Sequence, residues 1–495
     1  MHSHLYRFRP VQTLLGKREE LRRQEIYFAS PHQLNDPMEG FSDVFWQGDA
    51  IVWSNLLRHY LVCLERAFSL LMILGHEHPT TWDQIPVVDP GEHRAATPQH
   101  AAIHTAIFTR FFADADAQAL VAALAARDGP IRRHELSLHL TCAHPFALLA
   151  IREAHRESKD AGLPTPDVAE VLAAKAQLRH SAALIAQLKA LKSAEPIDED
   201  AIDTLFGFQR LMHEQMALAN VHNQVIDPKK TALNFVLQGF AEGYVDQVER
   251  NLYPDWYAAC FMEDCSNSSI WGTYGEDHKG VCLRFRTTVH DGCHSLTLNR
   301  IHGANADGPT RREVSTPFDK VVYTSEHASI DFFASLGRLP HPVLNKYWYS
   351  GANGERSSSA AAMRASTDDW RQAYWRNFTF RTTRKLKEWR FEAEHRLVIH
   401  SQLNDLSAPE ARNATYRFED LDGVIFGIRT PRDVKLDIFR VIEDKCRAVG
   451  RTDFKFFQAY YSRSKGAIEH HELGLLKFRP PDEGETAVGP PALAG

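Results

Sequence analysis

The sequence lacks a marked excess of charge of either sign. Its 495 residues carry 57 lysines and arginines against 63 aspartates and glutamates, which gives a net charge of -6. A balance this even provides no general attraction to nucleic acid or to an anionic membrane. Any polyanionic partner must therefore bind to a local basic patch.

Cysteine is scarce, and long apolar runs are absent. Seven cysteines in a chain of this length indicate free thiols in a reducing compartment and not a disulfide framework. The most apolar stretch, residues 61–75, contains Glu65 and Arg66 and is shorter than the roughly 20 residues of a membrane-spanning helix. The first residues, HSHLYRFRP, lack the basic and then apolar pattern of a signal peptide. We therefore expect a cytoplasmic protein that does not bind membranes.

Several catalytic signatures are also missing. There is no GxxxxGK[ST] loop, no GxGxxG after a strand and no GxSxG elbow, which argues against ATP hydrolysis and Rossmann chemistry. In HELSLH, His134 and His139 are five residues apart instead of the four of a metalloprotease helix. The remaining zinc candidates are Cys260, Cys265, His278 and Cys282. They lack the paired cysteine or histidine spacing of a zinc site, so no metal is expected.

The hydrophobic pattern divides the chain into four segments. Residues 1–55 and 251–450 contain short strand-like runs, whereas residues 56–250 contain long Ala- and Leu-rich helical patterns. Residues 451–495 form a C-terminal extension that ends in a tail predicted to be disordered. We therefore expect an α+β fold. Its mixed β-sheet core is built from the N-terminal and C-terminal segments and is interrupted by a large all-helical insertion, which could bind a protein partner.

The first dense motif is SPHQLNDPMEG, which follows the strand-like run IYFAS. Asp36 can cap a helix that begins at Pro37, and Glu39 then completes a capping box that has no functional meaning. Alternatively, the motif lies where two N-terminal strands end, and loops at strand ends often build sites. The side chains of that site would be Arg7, Ser30, Asn35, Asp36 and Glu39.

The second motif is CFMEDCSNSSIWGTYGEDHKGVCLRF, from Cys260 to Phe285. Trp271, Tyr274 and His278 could form an aromatic wall with a proton-transfer group for a planar ligand, because imidazole titrates near neutral pH. The alternative is a pair of core aromatic residues beside a surface histidine.

The third motif is KLKEWRFEAEHRLVIH, from Lys385 to His400. In a strand, Glu392, Glu394 and Arg396 would share one face. Arg396 and Glu394 could form a structural ion pair. Alternatively, one glutamate stabilises a cation or orients a ribose hydroxyl, and the other acts as a general base.

A basic run, RTTRKLKEWR, begins just before this motif and overlaps its first residues. It could contact the phosphates of a nucleotide or nucleic acid, or it could be a solvated helix face. Its candidate phosphate-binding residues are Arg381, Arg384, Lys385 and Lys387.

The order of these motifs resembles the bacterial domain-of-unknown-function family 2971 over residues 1–55 and 250–445. The matching positions are Tyr6, Arg7, Asn35, Asp36, Pro37, Glu39, Trp271, Tyr274, His278, Lys279, Gly280, Trp389, Glu392, Glu394 and Arg396. Residues 287–317 depart from the pattern as a long excursion before the next strand. The resemblance implies no activity by itself.

The order of a basic first strand, an aromatic and serine second strand and a late glutamate is also distantly similar to ADP-ribosyltransferase-like folds. This resemblance implies that Arg7 binds the phosphates of NAD, while Tyr27 and Ser30 support the nicotinamide ribose. Trp271 or Tyr274 would stack on the nicotinamide, and Glu394 would hold a ribose hydroxyl.

The leading hypothesis is an enzyme that acts on a nucleotide-containing substrate, such as NAD-dependent ADP-ribosyl transfer in a toxin or phage-defence role. The alternatives are a non-catalytic ligand sensor and a metal-dependent nuclease that uses Asp36, Glu39, Glu392 and Glu394. The expected catalytic residues are Glu394, Glu392 and His278. The expected cofactor-binding residues are Arg7, Tyr27, Ser30, Asn35, Asp36, Trp271, Tyr274 and Arg396.

Overall fold

A computed structural model describes residues 2–88, 97–158, 162–194, 198–401 and 405–476. The tail predicted to be disordered, residues 484–495, lies outside these ranges. The chain forms two compact units, and each contains more than one segment of the sequence. The first unit combines Met1–Phe41, Asp255–Glu326 and Thr379–Gly495, and the second combines Ser42–Pro254 and His327–Phe378.

The strands are short at the N-terminus and long in the middle of the chain. They are β1 (His2–Arg9), β2 (Glu25–Tyr27), β3 (Asp43–Trp46), β4 (Ile131–Arg132), β5 (Trp256–Met262), β6 (Val281–His290), β7 (Cys293–Asn305), β8 (Gly308–Lys320), β9 (Val322–Tyr323), β10 (Ser329–Asp331), β11 (Arg384–Lys385), β12 (Glu394–His400), β13 (Asn413–Tyr416), β14 (Leu421–Phe426), β15 (Lys455–Ser462) and β16 (Ala467–Glu472).

The long helices occur mainly in the second unit. The helices are α1 (Val11–Leu14), α2 (Glu20–Arg23), α3 (Ala50–Leu74), α4 (Pro98–Ala113), α5 (Ala115–Ala125), α6 (Arg133–Glu157), α7 (Val168–Ala194), α8 (Glu199–His222), α9 (Thr231–Asn234), α10 (Phe240–Val248), α11 (Ser268–Thr273), α12 (Phe332–Ser335), α13 (His341–Tyr347), α14 (Ala361–Ala365), α15 (Thr367–Thr383) and α16 (Arg432–Val449). Phe235–Gly239 forms a π-helical turn, and 3₁₀ turns include Pro31–Gln33 and Lys387–Glu392.

The first unit contains a closed barrel of six strands, in the order β6-β1-β5-β12-β8-β7 with β6 paired to β7. Every neighbouring pair in this ring is antiparallel. Strands β14, β15 and β16 extend the sheet from β6, and β13 and β2 extend it from β7. The α+β class is therefore confirmed. The expected mixed-sheet core is wrong, because the core sheet closes on itself.

The closure depends on residues 287–317, which the sequence presents only as a long excursion. They fold into the end of β6, all of β7 and most of β8. Asp291 and Gly292 connect β6 to β7 and both have positive φ, as a tight two-residue hairpin requires. Polar side chains on the exposed face of β7 and β8 obscure the strand pattern, so the strands that close the barrel were missed.

The barrel interior is filled by apolar side chains from several strands. Phe261, Phe285 and Phe318 are at most 5% exposed and belong to one cluster with Leu5. Phe261 meets the other two rings edge to face, at centroid distances of 5.4 and 5.0 Å. Each such aromatic pair contributes about 0.5–1.5 kcal/mol beyond simple burial. These side chains therefore form part of a packed core.

The second unit is mainly helical. Helix α3 begins after Asp49, whose carboxylate accepts hydrogen bonds from the amides of Ile51 and Val52, which would otherwise lack partners. In contrast to the buried α3, helix α8 exposes several large apolar side chains, among them Phe208 and Met216. In the described part of the chain, no helix combines the length and apolar character needed to cross a membrane.

Candidate functional site

A cleft of about 380 Å³ lies at the rim of the barrel in the first unit. Strands β1 and β5 form one side of it, and the chain after β2 contributes residues up to Glu39. Tyr27 and Tyr274 provide aromatic surface, and the basic residues that line the cleft are Arg7, Arg9, Arg18 and Lys385. The cleft is therefore both basic and aromatic.

Arg7 is the most deeply buried arginine of this cleft, at 4% exposure. Its Nη2 donates to the backbone carbonyl of Tyr27 at 3.2 Å, and its guanidinium lies 5.2 Å from the centre of the Phe261 ring. Its Nη1 has no hydrogen-bond partner in the described part of the chain. Burial lowers the pKa of Arg7 to about 10, so the side chain is still a cation at neutral pH. Arg7 is a buried cation with unused hydrogen-bonding capacity.

The other two arginines are partly engaged. Both oxygens of Glu20 accept hydrogen bonds from Arg9, with the Nε contact at 2.7 Å. Arg18 is exposed and lies over the Tyr27 ring, 3.7 Å from its centre. Arg9 is thus neutralised locally, whereas the charge of Arg18 is available at the surface.

A network of buried ions lies beside the cleft. The guanidinium of Arg396 donates to Glu39 at 2.7 and 2.8 Å and to Glu394 at 2.7 and 3.1 Å. It also donates to the carbonyl of Thr382 at 2.9 Å. Arg396 is fully buried. It forms the ion pair with Glu394 that was one of the two alternatives predicted from the sequence, and Glu39 is an additional partner.

Lys385 is the second cation of the network. Its Nζ donates to Glu392 at 2.6 Å and to Glu394 at 3.2 Å, and it lies 3.5 Å from Glu39. Lys385 is 3% exposed, and the neighbouring carboxylates raise its pKa despite burial. The network therefore contains two cations, Lys385 and Arg396, in contact with three carboxylates. These are Glu39, Glu392 and Glu394.

The pKa values of Glu392 and Glu394 are shifted in opposite directions. Burial disfavours ionisation of both, but the charges of Arg396 and Lys385 outweigh it at Glu394 and lower the pKa of that carboxyl to about 2. At Glu392 burial prevails and raises the pKa, with the charge of Glu394 adding to the effect. Two carboxyl groups with pKa values pushed apart form an arrangement typical of acid–base sites.

Tyr274 connects Glu392 to the cleft. Its hydroxyl donates to Glu392 Oε1 at 2.6 Å and accepts from the side-chain amide of Asn35 at 2.7 Å. Burial raises the pKa of Tyr274, so the hydroxyl keeps its proton at neutral pH. A proton can therefore pass between the cleft wall and a carboxyl group behind it.

Cys260 also lines the cleft, and burial, reinforced by Glu394, raises the pKa of its thiol.

The structure brings together only part of the predicted site. Arg7, Tyr27, Asn35 and Tyr274 line the cleft, and Glu392, Glu394 and Arg396 lie in the adjoining network. The contributions of Lys385 as a counterion and of Arg9 and Arg18 to the cleft were missed. No spacing signal links Lys385 to the glutamates, because the contact depends on how β11 approaches β12.

Other predicted site residues lie outside the lining of the cleft. Trp271 is fully buried, and its Nε1 donates to the carbonyl of Cys265 at 2.8 Å. The ring of His278 stacks on Trp271 with centroids 6.4 Å apart. Ser30 precedes the turn Pro31–Gln33, and the carboxylate of Asp36 accepts from the amide of Met38 at 2.9 Å.

Two local predictions about this region are wrong. The capping box forms between Ser30 and Gln33 and not between Asp36 and Glu39. The carboxylate of Glu39 instead accepts hydrogen bonds from Arg396. Glu392 ends a 3₁₀ turn, and Ala393 has a φ of 44°, so β12 and its alternation begin at Glu394, two residues after Glu392.

The basic run does not form one continuous surface. Arg384 and Lys385 are each 3% exposed, and Arg384 donates to the carbonyls of Glu326 and Thr324. Arg381 donates to the carbonyl of Gly40 at 2.6 Å. Lys387 is exposed. Most of these cations therefore bind protein oxygens instead of facing solvent together.

Replacing Lys385 by methionine is expected to lower the free energy of unfolding by about 3–5 kcal/mol, because removal of one partner leaves buried carboxylates uncompensated. Lys387→Met, two residues away on an exposed side chain, is the matched control and is expected to change it by less than about 0.5 kcal/mol. Urea unfolding measures both values. Equal stability of the two variants would contradict the role assigned to Lys385.

Replacing Glu394 by glutamine is expected to weaken the acid dependence of stability. The folded pKa of about 2 lies below the ordinary value of 4.5, so the unfolded chain binds more protons between these values and stability rises with pH there. The contribution of Glu394 is therefore complete above the ordinary value and is lost as the pH falls toward the folded one.

Unfolding experiments at neutral and acidic pH test this expectation. Glu394→Gln should be less stable than the original chain at neutral pH, and the difference should shrink in acid. Glu388→Gln, at an exposed position nearby, provides the control. A difference that does not change with pH would count against the prediction.

No family model matches this sequence, and comparisons with curated proteins and with solved structures also find no match. The resemblance to family 2971 and the distant similarity to ADP-ribosyltransferase-like folds therefore stay predictions that rest on the motifs. Function has to be inferred from the cleft and its neighbouring ions.

Proposed function

We propose that the cleft of the barrel unit binds a nucleotide through its phosphate groups. The observation that carries this proposal is the buried guanidinium of Arg7, with one nitrogen that has no hydrogen-bond partner in the described part of the chain. A buried cation is costly unless it is paired. A planar guanidinium also matches the oxygens of a phosphate better than an ammonium does.

The surroundings of Arg7 support a nucleotide over a simple anion. The volume of about 380 Å³ falls within the range of small-molecule sites. Tyr27 and Tyr274 supply aromatic rings, and Gln33 and Asn35 supply side-chain amides that can read polar groups of a base or ribose. The exposed charge of Arg18 adds attraction for a second phosphate.

We further propose that the substrate is NAD and that the reaction transfers its ADP-ribosyl group. In such a transfer the bond between ribose C1′ and the nicotinamide nitrogen breaks, and neutral nicotinamide leaves with the bonding electrons. The acceptor forms the new bond to C1′ and loses a proton. Glu392, in its ionised form, would receive that proton through Tyr274, which lines the cleft.

Glu394 has a different role in this proposal. Its oxygens accept hydrogen bonds from Arg396 and Lys385, so it holds Lys385 in place and keeps the pKa of Glu392 high. It is a positioning residue. The nuclease alternative is less well supported, because a divalent cation at Glu39, Glu392 and Glu394 would have to displace both buried cations.

The remaining predictions stay proposals. They are a cytoplasmic location, membership of family 2971, a toxin or phage-defence role and a protein partner for the helical segment. The cysteines are consistent with a reducing compartment, since no disulfide forms among the seven, all of which lie in the described ranges.

Replacing Arg7 by methionine is expected to weaken the binding of ADP by about 10- to 100-fold, the value of a hydrogen bond to a charged group. No carboxylate lies within hydrogen-bonding distance of Arg7 in the described residues. This change therefore leaves no buried anion without a partner. Arg22→Met, on an exposed side chain of α2, is the control. Isothermal titration calorimetry measures the affinities. Absence of ADP binding by the original chain, or equal binding by both variants, would refute nucleotide recognition by Arg7.

Replacing Glu392 by glutamine is expected to lower the rate of nicotinamide release from NAD by about 10²- to 10⁴-fold, the usual contribution of acid–base catalysis. The amide oxygen can still accept from Tyr274, so ADP affinity should be retained. The control is Glu388→Gln. Assays are run with and without cell lysate as a source of acceptors. If ADP binds but nicotinamide is never released, the NAD assignment fails and nucleotide binding alone is retained.

A further inference from the structure

A separate group of ionisable residues lies in the helical unit, at Glu65, His100, His104 and His155. Glu65 on α3 is 1% exposed. The Nε2 atoms of His100 and His104, both on α4, lie 3.2 and 3.3 Å from its Oε2. None of these residues belongs to the cleft or to the proposed nucleotide chemistry.

The sequence explains why the two α4 histidines face the same carboxylate. His100 and His104 are four residues apart in HAAIH, so they lie on one face of the helix, one turn apart. Their ring centroids are 4.4 Å apart. Glu65 comes from the buried face of α3, in the middle of its longest apolar stretch. The spacing of the histidines can be read from the sequence, but their carboxylate partner cannot.

The geometry of these three residues fits a transition-metal site. One ligand atom from each of Glu65, His100 and His104 lies within 4.8 Å of the others. In a tetrahedral zinc site with ligand bonds of about 2.0–2.1 Å, neighbouring ligand atoms are about 3.4 Å apart. The two distances to Oε2 of Glu65 are close to this value. Two imidazoles and one carboxylate are also a donor set that zinc accepts in proteins.

The second oxygen of Glu65 is fixed by other groups. Ser69 donates its hydroxyl to Oε1 at 2.7 Å, and Nε2 of His155 lies 3.1 Å from the same oxygen. Metal-binding carboxylates are commonly oriented by such outer hydrogen bonds. Ser69 and His155 therefore hold the carboxylate so that Oε2 faces the two histidines of α4.

The burial of these residues agrees with the same interpretation. Glu65 is 1% exposed, and each of its two carboxylate oxygens lies within 3.3 Å of a histidine nitrogen. His104 is 4% exposed, and its Nδ1 has no partner in the described part of the chain. The His100 side chain is 33% exposed, which gives solvent access to the site.

We propose that Glu65, His100 and His104 bind a single Zn²⁺ ion, which leaves one coordination position for water or another small ligand. Three protein ligands with one open position are typical of zinc that takes part in chemistry or ligand binding, whereas structural zinc usually has four. This inference contradicts the sequence-based expectation of no metal, and neither the zinc candidates weighed there nor the carboxylates of the nuclease alternative included Glu65, His100 or His104.

The test measures the retention of Zn²⁺ by the full chain. The protein is stripped with chelator, loaded with Zn²⁺ alone, desalted and analysed for metal, and the affinity is measured by competition with a chromophoric chelator. The original chain should retain one Zn²⁺. His100→Ala should bind at least about tenfold more weakly, since even loss of an outer partner costs 10- to 100-fold.

Two variants separate a lost ligand from a lost fold. His100 is the least buried of the three residues, so His100→Ala should retain the circular dichroism and melting temperature of the metal-free chain. His180→Ala, at an exposed position of α7, removes a histidine elsewhere and should retain full Zn²⁺ affinity. Co²⁺ loading of the original chain should give the intense visible absorption of a four-coordinate site.

The proposal is overturned by two results. One is that the original chain retains no Zn²⁺, in which case the group is only a hydrogen-bonded buried carboxylate. The other is that His100→Ala and His180→Ala bind Zn²⁺ equally well, which would locate the metal at other residues such as the cysteines. Both results are independent of ADP binding and nicotinamide release.

Discussion

The ion pairs made by Arg396 and Lys385 are the constraint on which the candidate site depends. Arg396 joins Glu39 to Glu394, although Glu39 lies 357 residues earlier in the chain. This contact holds the loop after β2 against β12, and the same loop provides one side of the cleft. These buried cations therefore account for the position of that loop. They also account for the low pKa of Glu394 beside the raised pKa of Glu392.

Stability alone is a poor explanation for such a network. Replacing a buried ion group by well-packed apolar side chains is often neutral or even stabilising, because charges lose hydration on burial. Here the network produces something that apolar residues cannot, namely a carboxyl group with a raised pKa next to one that stays ionised. We interpret the network as a means of setting the protonation of Glu392, which contacts two residues that line the cleft, Tyr274 and Lys385.

The sequence predicted the elements of the site better than their arrangement. Short strand-like runs located β1, β5 and most of β12, and the motifs around Asn35 and Tyr274 identified two residues that do line the cleft. Barrel closure could not be predicted, because it depends on the pairing of β6 with β7 and not on either strand alone. Trp271 and Tyr274 have similar local patterns, yet Trp271 is buried in the core. The sequence shows Glu65 only as an interruption of an apolar run, since its three histidine partners come from other helices.

The position of β1 in the barrel also affects the order in which the chain can fold. Strand β1 ends at Arg9, but its neighbours β5 and β6 begin at Trp256 and Val281. At synthesis rates of about 5–20 residues per second, the first strand exists for roughly 10–50 seconds before either neighbour has been made. During that time most of the helical unit emerges and can fold, while β1 has unpaired backbone groups on both edges. The barrel is therefore completed late in synthesis, and a chaperone or transient contact that covers β1 would protect the nascent chain from aggregation.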